Sequence, residues 1–241
     1  MTFLGQVVHW FTNPAHWHGA NGIPTRLEEH VGMSLVAILG AMLIALPIGI
    51  ALGHTGRGGL LAINVSNVGR AIPSFALLVL LLLVLGLGAA PAFIALVALA
   101  IPPMVTNAYA GMRGVDRGLI DAARGLGMRE RHVLMDVELP NAVSVIMAGV
   151  RTAGVQVVAT ATLAALVAWG GLGRYIVDGL AQLDYVQVFA GAVLVALLAG
   201  ATELVLALLQ RAVTPAGLRK VVPQRVERME AGAEGRPEAA G

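Results

Sequence analysis

The residues of this chain that could do chemistry are its few charges, and their spacing sorts them into two kinds. Residues 121 to 140, DAARGLGMRERHVLMDVELP, gather Arg124, Arg129, Glu130, Arg131 and Glu138 around a central glycine and a final proline, with greasy sequence on both sides. Small residues ringed by charge suit docking: alanines allow close approach and the charges set orientation. The second kind is Arg151 and Glu203, a base and an acid each lodged inside an apolar run. An unpaired charge at mid-membrane costs roughly 2.5–3.5 kcal/mol on insertion scales, so such residues need a partner or water.

Other chemistry is excluded. The single lysine, Lys220, is followed by Val221, so no G-x-x-x-x-G-K-[ST] phosphate loop exists and the chain cannot bind ATP in that way. There is no cysteine, no H-E-x-x-H and no G-x-S-x-G, which removes disulfides, thiolate metal sites and the common intramembrane hydrolase motifs. His9, His16 and His18 lack a neighbouring carboxylate and helical i, i+4 spacing. They read as surface polarity, and neither metal nor cofactor is expected.

The elements that position these residues are hydrocarbon spans. Of the 241 residues 57% are hydrophobic and 12% charged, against about a quarter charged in a soluble domain. Five stretches, near 31–52, 71–90, 91–111, 143–169 and 188–210, approach the roughly 20 residues a bilayer crossing needs. GLGAAP (86–91) joins the second and third by a tight turn, and Pro102 and Pro103 should kink or partly unwind the third. The fold class expected is therefore an all-α membrane protein with five transmembrane helices.

Its orientation follows from the basic residues. Thirteen of sixteen fall in the loops 53–70 and 112–142 and in the C-terminal tail, which places those segments in the cytoplasm and the N-terminus outside. Residues 1–28 form an external segment, with Phe3, Leu4, Val7, Val8 and Phe11 at helical spacing and Trp10 and Trp17 at headgroup level. Residues 29–212 form the transmembrane domain, and 213–241 a polar, disordered cytoplasmic tail. In this orientation Arg151 and Glu203 lie on the order of 15 and 10 Å from the cytoplasmic ends of their spans, at 1.5 Å per residue. They can meet if spans four and five are adjacent. Snorkelling, or capping of carbonyls near a subunit interface, accounts for Arg151 as well.

Within the charged segment, Asp116 can cap a helix from Arg117. Leu119, Ala122, Ala123 and Leu126 then form one apolar stripe, and Gly127 supplies a left-handed stop. A second short helix carries Val133, Leu134 and Val137, and Pro140 should force Leu139 out of helical geometry before the next span. Docking is one reading of this knob. An amphipathic helix on the inner leaflet is the other. A DNA-binding helix-turn-helix would need a soluble core, so no nucleic-acid partner is expected.

The same segment resembles the EAA loop of ABC importer permeases, with Ala122, Ala123, Gly127, Leu139 and Pro140 at the motif positions and Asp121 where the family has Glu. AIPSFALL (71–78), NAYAGMRGVD (107–116) and AGVRTAGVQVVATATLAALVAWGGLG (148–173) extend the resemblance over about residues 29–210, and are similar to permeases for glycine betaine, choline, carnitine and related osmoprotectants. The resemblance implies a bacterial inner-membrane subunit that is not itself an enzyme. It implies ATPase subunits docked on the EAA loop, a second permease (identical or paralogous) and an external binding protein. It also places Ile72, Pro73, Ser74 and Phe75 at the inner mouth of a pathway, with cysteines at 74 and 78 expected to be reachable from the cytoplasm. The outer segment 170–188 is long enough for a short gating helix. Aromatics make up only 5% of the chain, too few and scattered for an obvious cage around a quaternary ammonium, so selection falls to the binding protein. The alternatives are a methionine-like or other small-solute importer, or a stand-alone channel or secondary transporter. The last would need an inverted repeat or several intramembrane carboxylates, and Glu203 is the only clear one.

Overall fold

The structure, a computed structural model, describes residues 2–59, 63, 64, 67, 69, 71–215 and 217. Nearly all of the expected tail, and Arg70 in the first loop, lie outside the described residues. Among those described, the chain is helical, without a strand. The elements are α1 (Phe3–Thr12), α2 (Ile23–Thr55), α3 (Ser74–Leu85), α4 (Ala89–Arg113), α5 (Arg117–Gly125), α6 (Glu130–Val167), α7 (Gly173–Gln182) and α8 (Tyr185–Val213). Four of these, α2, α4, α6 and α8, are long and apolar enough to cross a bilayer. The second expected span is the 12-residue α3, about 18 Å of helix at 1.5 Å per residue. It ends at Gly86, whose φ of 78° needs no Cβ penalty, and Gly88 N–H donates to Val167 O at 2.9 Å as the chain turns into α4.

The bundle is assembled through small side chains. Ala37, Ala41, Ala45, Gly49 and Gly53 recur every fourth residue along α2 and are all buried, a stripe that lies against Leu96, Ala100, Met104 and Ala108 of α4. Lipid tails are as apolar as leucine, so helices in a membrane associate through close van der Waals packing, which small residues permit. On the other side of α4, Gly149 of α6 sits over the Pro103 carbonyl, and Gly111 over that of Ala142. Gly154 of α6 receives Leu206 of α8.

Four expectations change. The boundary at residue 28 falls inside α2, which starts at Ile23 with Pro24 in its first turn, where proline's missing N–H costs nothing. Trp10 does not face the headgroups. It is 6% exposed, stacked on His16 with centroids 4.1 Å apart and edge-on to Tyr175 at 5.4 Å. α4 is not unwound at Pro102 and Pro103; Thr106 Oγ1 and Asn107 Nδ2 donate to their carbonyls at 2.9 and 2.8 Å. Nor does Pro140 break the chain, since Leu139 is helical at φ −59°, ψ −46°. The helix accommodates Pro140 by widening instead. Val133–Glu138 forms a π turn, Leu139 N–H donates five residues back to Leu134 O, and the Asn141 amide donates to Val137 O at 2.7 Å. The expected second short helix is thus the foot of α6.

A Cβ built on Gly49 would lie 2.6 Å from Ala108 Cβ and 2.8 Å from Val105 O, whereas one on Gly32 meets nothing within 4 Å. Gly49→Ala should lower the thermal midpoint of the detergent-solubilised protein, by about 1–3 kcal/mol of overpacking, and Gly32→Ala should leave it unchanged. Parallel melting curves decide this.

Candidate functional site

One end of the bundle carries the charged segment. The Asp116 carboxylate accepts from Gly118 N–H at 2.6 Å and starts α5. α5 closes in a left-handed turn at Gly127, φ 80°, with Gly127 N–H donating to Arg124 O at 2.9 Å and Met128 N–H to Ala123 O at 3.1 Å, the Schellman arrangement. The apolar stripe does not stay together. Ala123 is 6% exposed, turned into the chain, while Leu119 and Leu126 are 51% and 85% exposed and Ala122 and Asp121 are also at the surface. The outward apolar face of the knob is therefore Leu119, Ala122 and Leu126. Leu139 packs half-buried against Ala108, Met112 and Ile146, and Pro140 is half-buried one residue further on.

Side chains tie this knob to the bundle. Arg124 and Glu130 form a bidentate pair, Nε–Oε1 and Nη2–Oε2 both 2.9 Å, which holds the arginine above its already high range. His54, in the last turn of α2, is hydrogen-bonded through Nδ1 to the buried Glu138 carboxylate, and its Nε2 lies 3.7 Å from Glu130 Oε2. Sequence reasoning missed the His54–Glu138 contact, because 84 residues separate the two. The one available signal was a carboxylate, Glu138, on the apolar side of a helix start.

Along the α6–α8 contact, Arg151 Nε meets Glu203 Oε1 at 2.9 Å. Arg151 Nη1 also donates to Gln210 Oε1 at 3.1 Å, and Gln210 Nε2 donates to Ser144 O at 2.8 Å. The side chains of the pair are 37% and 44% exposed. Ile72 and Phe75 are exposed at the foot of α3, Pro73 precedes it in extended geometry and Ser74 is half-buried. Leu78 is 3% exposed in the core between α3, α4 and α6.

At the opposite end, Glu29 Oε2 accepts from Gly171 N–H at 2.7 Å and from Arg26 at 2.8 Å. The Tyr175 hydroxyl donates to Asn21 O at 2.6 Å, and burial pushes this phenol's pKa up. The short helix expected between 170 and 188 is α7. His30 Nε2 bonds Val158 O at 2.9 Å, while His30 Nδ1, Ser34 Oγ and Trp169 Nε1 are buried without a partner among the described residues. No group of three metal-ligating side chains occurs among them either.

A bundle of membrane-length helices with a capped, charged knob at one end defines a helical integral-membrane protein. Residues 44–216 match the family model described as binding-protein-dependent transport system inner membrane component. The choline transport system permease protein OpuBB of Bacillus subtilis (strain 168) is 38% identical over 193 residues, 80% of this chain and 89% of that protein. The carnitine transport permease protein OpuCB of Listeria monocytogenes is 38% identical over 192 residues, 80% and 88% of the two. The osmoprotectant import permease protein OsmY of Salmonella typhimurium is 34% identical over 190 residues, 78% and 80%. Among solved structures, an inward-facing MetNI methionine ABC transporter chain superposes with a TM-score of 0.70 at 23% identity, covering 85% of this chain and all of that one. An amino acid ABC transporter with histidines gives 0.66 at 20% identity, covering 88% and 99%. The chain belongs to the binding-protein-dependent transport system inner membrane component family. It is the permease subunit of an ABC importer, an inner-membrane transport subunit rather than an enzyme.

Two outcomes follow from this geometry. Ala123→Arg would bury a charge at a cost of several kcal/mol and should abolish membrane yield, while Leu126→Arg should insert normally; quantitative membrane immunoblots compare them. Arg151→Ala should lower membrane expression more than Arg151→Ala with Glu203→Ala, since the double change leaves no orphan charge. Strictly additive losses in that cycle would show that the pair contributes nothing.

Proposed function

We propose that this permease carries a small osmoprotectant such as glycine betaine, choline, carnitine or proline, driven by ATP hydrolysis on a separate chain and delivered by an external binding protein. The observation that carries this reading is the likeness to permeases named for choline, carnitine and osmoprotectant transport, at 34–38% identity over about four fifths of this chain. The solved methionine transporter shares only 23% identity and speaks for the fold alone.

The chain crosses the membrane five times in this reading, α3 with its flanking residues making the second, shorter crossing. The Gly88–Val167 hydrogen bond supports it by holding the turn after α3 beside the end of α6, away from the knob. The N-terminus is outside and residues 213–241 are cytoplasmic. Residues 117–138 dock the ATPase, presenting Leu119, Ala122 and Leu126 within a ring of Arg117, Arg124, Arg129 and Arg131. A second permease, identical or paralogous, faces this one. It, or a water-filled route between the two, covers the half-exposed Arg151–Glu203 pair, which bare lipid would not tolerate. Ile72, Pro73, Ser74 and Phe75 stand at the inner mouth.

The test is uptake into proteoliposomes holding the permease with its cognate ATPase and binding protein. ATP-dependent uptake of labelled betaine, choline, carnitine or proline is expected. Uptake of methionine with none of these would overturn the substrate class. Leu126→Arg should reduce the ATPase recovered with the permease at least tenfold, a loss of about 1.4 kcal/mol; undiminished recovery and transport would place docking elsewhere.

A further inference from the structure

We infer that His54 is a positioning residue that transmits movement of the docking knob to the first long span, through a chain of side chains running Arg124–Glu130–His54–Glu138. This rests on the docking reading above and extends it to how the knob's motion reaches the membrane.

The geometry is specific. Arg124 stands on α5 next to the exposed apolar face, and its guanidinium is gripped by both oxygens of Glu130 at 2.9 Å. Glu130 opens α6 and also faces His54 Nε2 at 3.7 Å. The other ring nitrogen of His54 is hydrogen-bonded to Glu138, whose side chain is 4% exposed. A single imidazole at the end of α2 therefore bridges two carboxylates, Glu130 ahead of the π turn Val133–Glu138 and Glu138 at its last residue. Backbone offers no such link, since residues 56 to 129 separate α2 from α6 in sequence.

Three properties suit this linkage to transmission rather than to stability alone. The outer two members, Arg124 and Glu130, are half-exposed at 45% and 58%, where an ion pair contributes little to folding. Glu138 is buried and His54 partly so, where loss of one partner leaves a buried polar group unanswered. The π turn between the two carboxylates is a looser segment of helix, of the sort found at functional sites. Displacing α5 thus shifts Glu130 and His54 together, and His54 sits at the end of the small-residue stripe, where Gly53 touches Met112 of α4. Tight packing there passes the shift on to α4 rather than absorbing it.

The experiment measures uptake and ATP hydrolysis separately in the reconstituted complex of permease, ATPase and binding protein. His54→Ala should leave ATPase recovery and hydrolysis near wild type, while solute moved per ATP falls about tenfold, within the range of energetic coupling through packed networks, and Glu138→Gln should lower solute moved per ATP by a like factor. The double variant should be no worse than the worse single one, as expected for partners in one linkage. His54→Gln, whose amide can still meet Glu138 but presents no second ring nitrogen to Glu130, should be intermediate. Wild-type solute per ATP in both single variants would overturn the proposal. So would uptake losses that merely track loss of assembled complex, which mark a purely structural contact. The docking reading fails separately, if Leu126→Arg keeps its ATPase.

Discussion

The contact on which everything else depends is the close approach of α2 and α4. Water cannot drive helices together inside hydrocarbon, so affinity between them must come from dispersion at short range. Alanine and glycine every fourth residue on α2 bring the backbones near enough for Gly49 to rest on the Val105 carbonyl. α4 is then clasped from its other side by Gly149 and Ala142 of α6. α8 is held by its own contacts to α6 and α7 but leaves most of its surface uncovered, in keeping with a helix that meets lipid or a second subunit.

On that scaffold the backbone at prolines and bends is answered by nearby side chains. The carbonyls of Pro102 and Pro103 are taken by Thr106 and Asn107, the π turn before Pro140 is braced by Asn141, and Arg151 is met by Glu203 and Gln210. Glu29 secures the irregular backbone at Gly171. Unsatisfied backbone is expensive away from water, so these side chains allow prolines and bends that would otherwise break the spans. The same rule explains why the prolines expected to interrupt helices leave α4 and α6 continuous.

The charged knob lies at one end of the bundle. The knob combines a rigid frame (the Asp116 cap and the Gly127 turn) with leucines turned outward, and the His54–Glu138 contact anchors its continuation to α2. The opposite end, with Trp10, Tyr175 and Glu29, is more aromatic and less charged. This asymmetry matches a subunit of a binding-protein-dependent importer, with partners of different chemistry on its two faces.

Much was legible in the sequence because it depends on local rules. Hydropathy and length locate α4 and α8 closely, while α2 and α6 begin well before the expected spans at 31 and 143. Asp116 and Gly127 mark the ends of α5 because capping and left-handed turns are chemistry of neighbouring residues. The knob's motif points to the family before any coordinates do. What sequence could not decide is which side of each helix faces inward. Ala123 and Leu126 share a stripe on paper, yet one is buried and the other exposed, since the tilt of α5 is set by its packing. Trp10 turns inward for the same reason. Pro140 shows the limit from the other direction: local rules end a helix there, and tertiary packing with a widened turn keeps it going. His54 and Glu138 lie 84 residues apart, and no spacing rule joins them. Composition and periodicity therefore determined that this chain is a bundle of spans with a charged, helical knob. Only the tertiary structure decided which residues that knob turns outward and which it ties to the bundle, because those choices are made by contacts between helices distant in sequence.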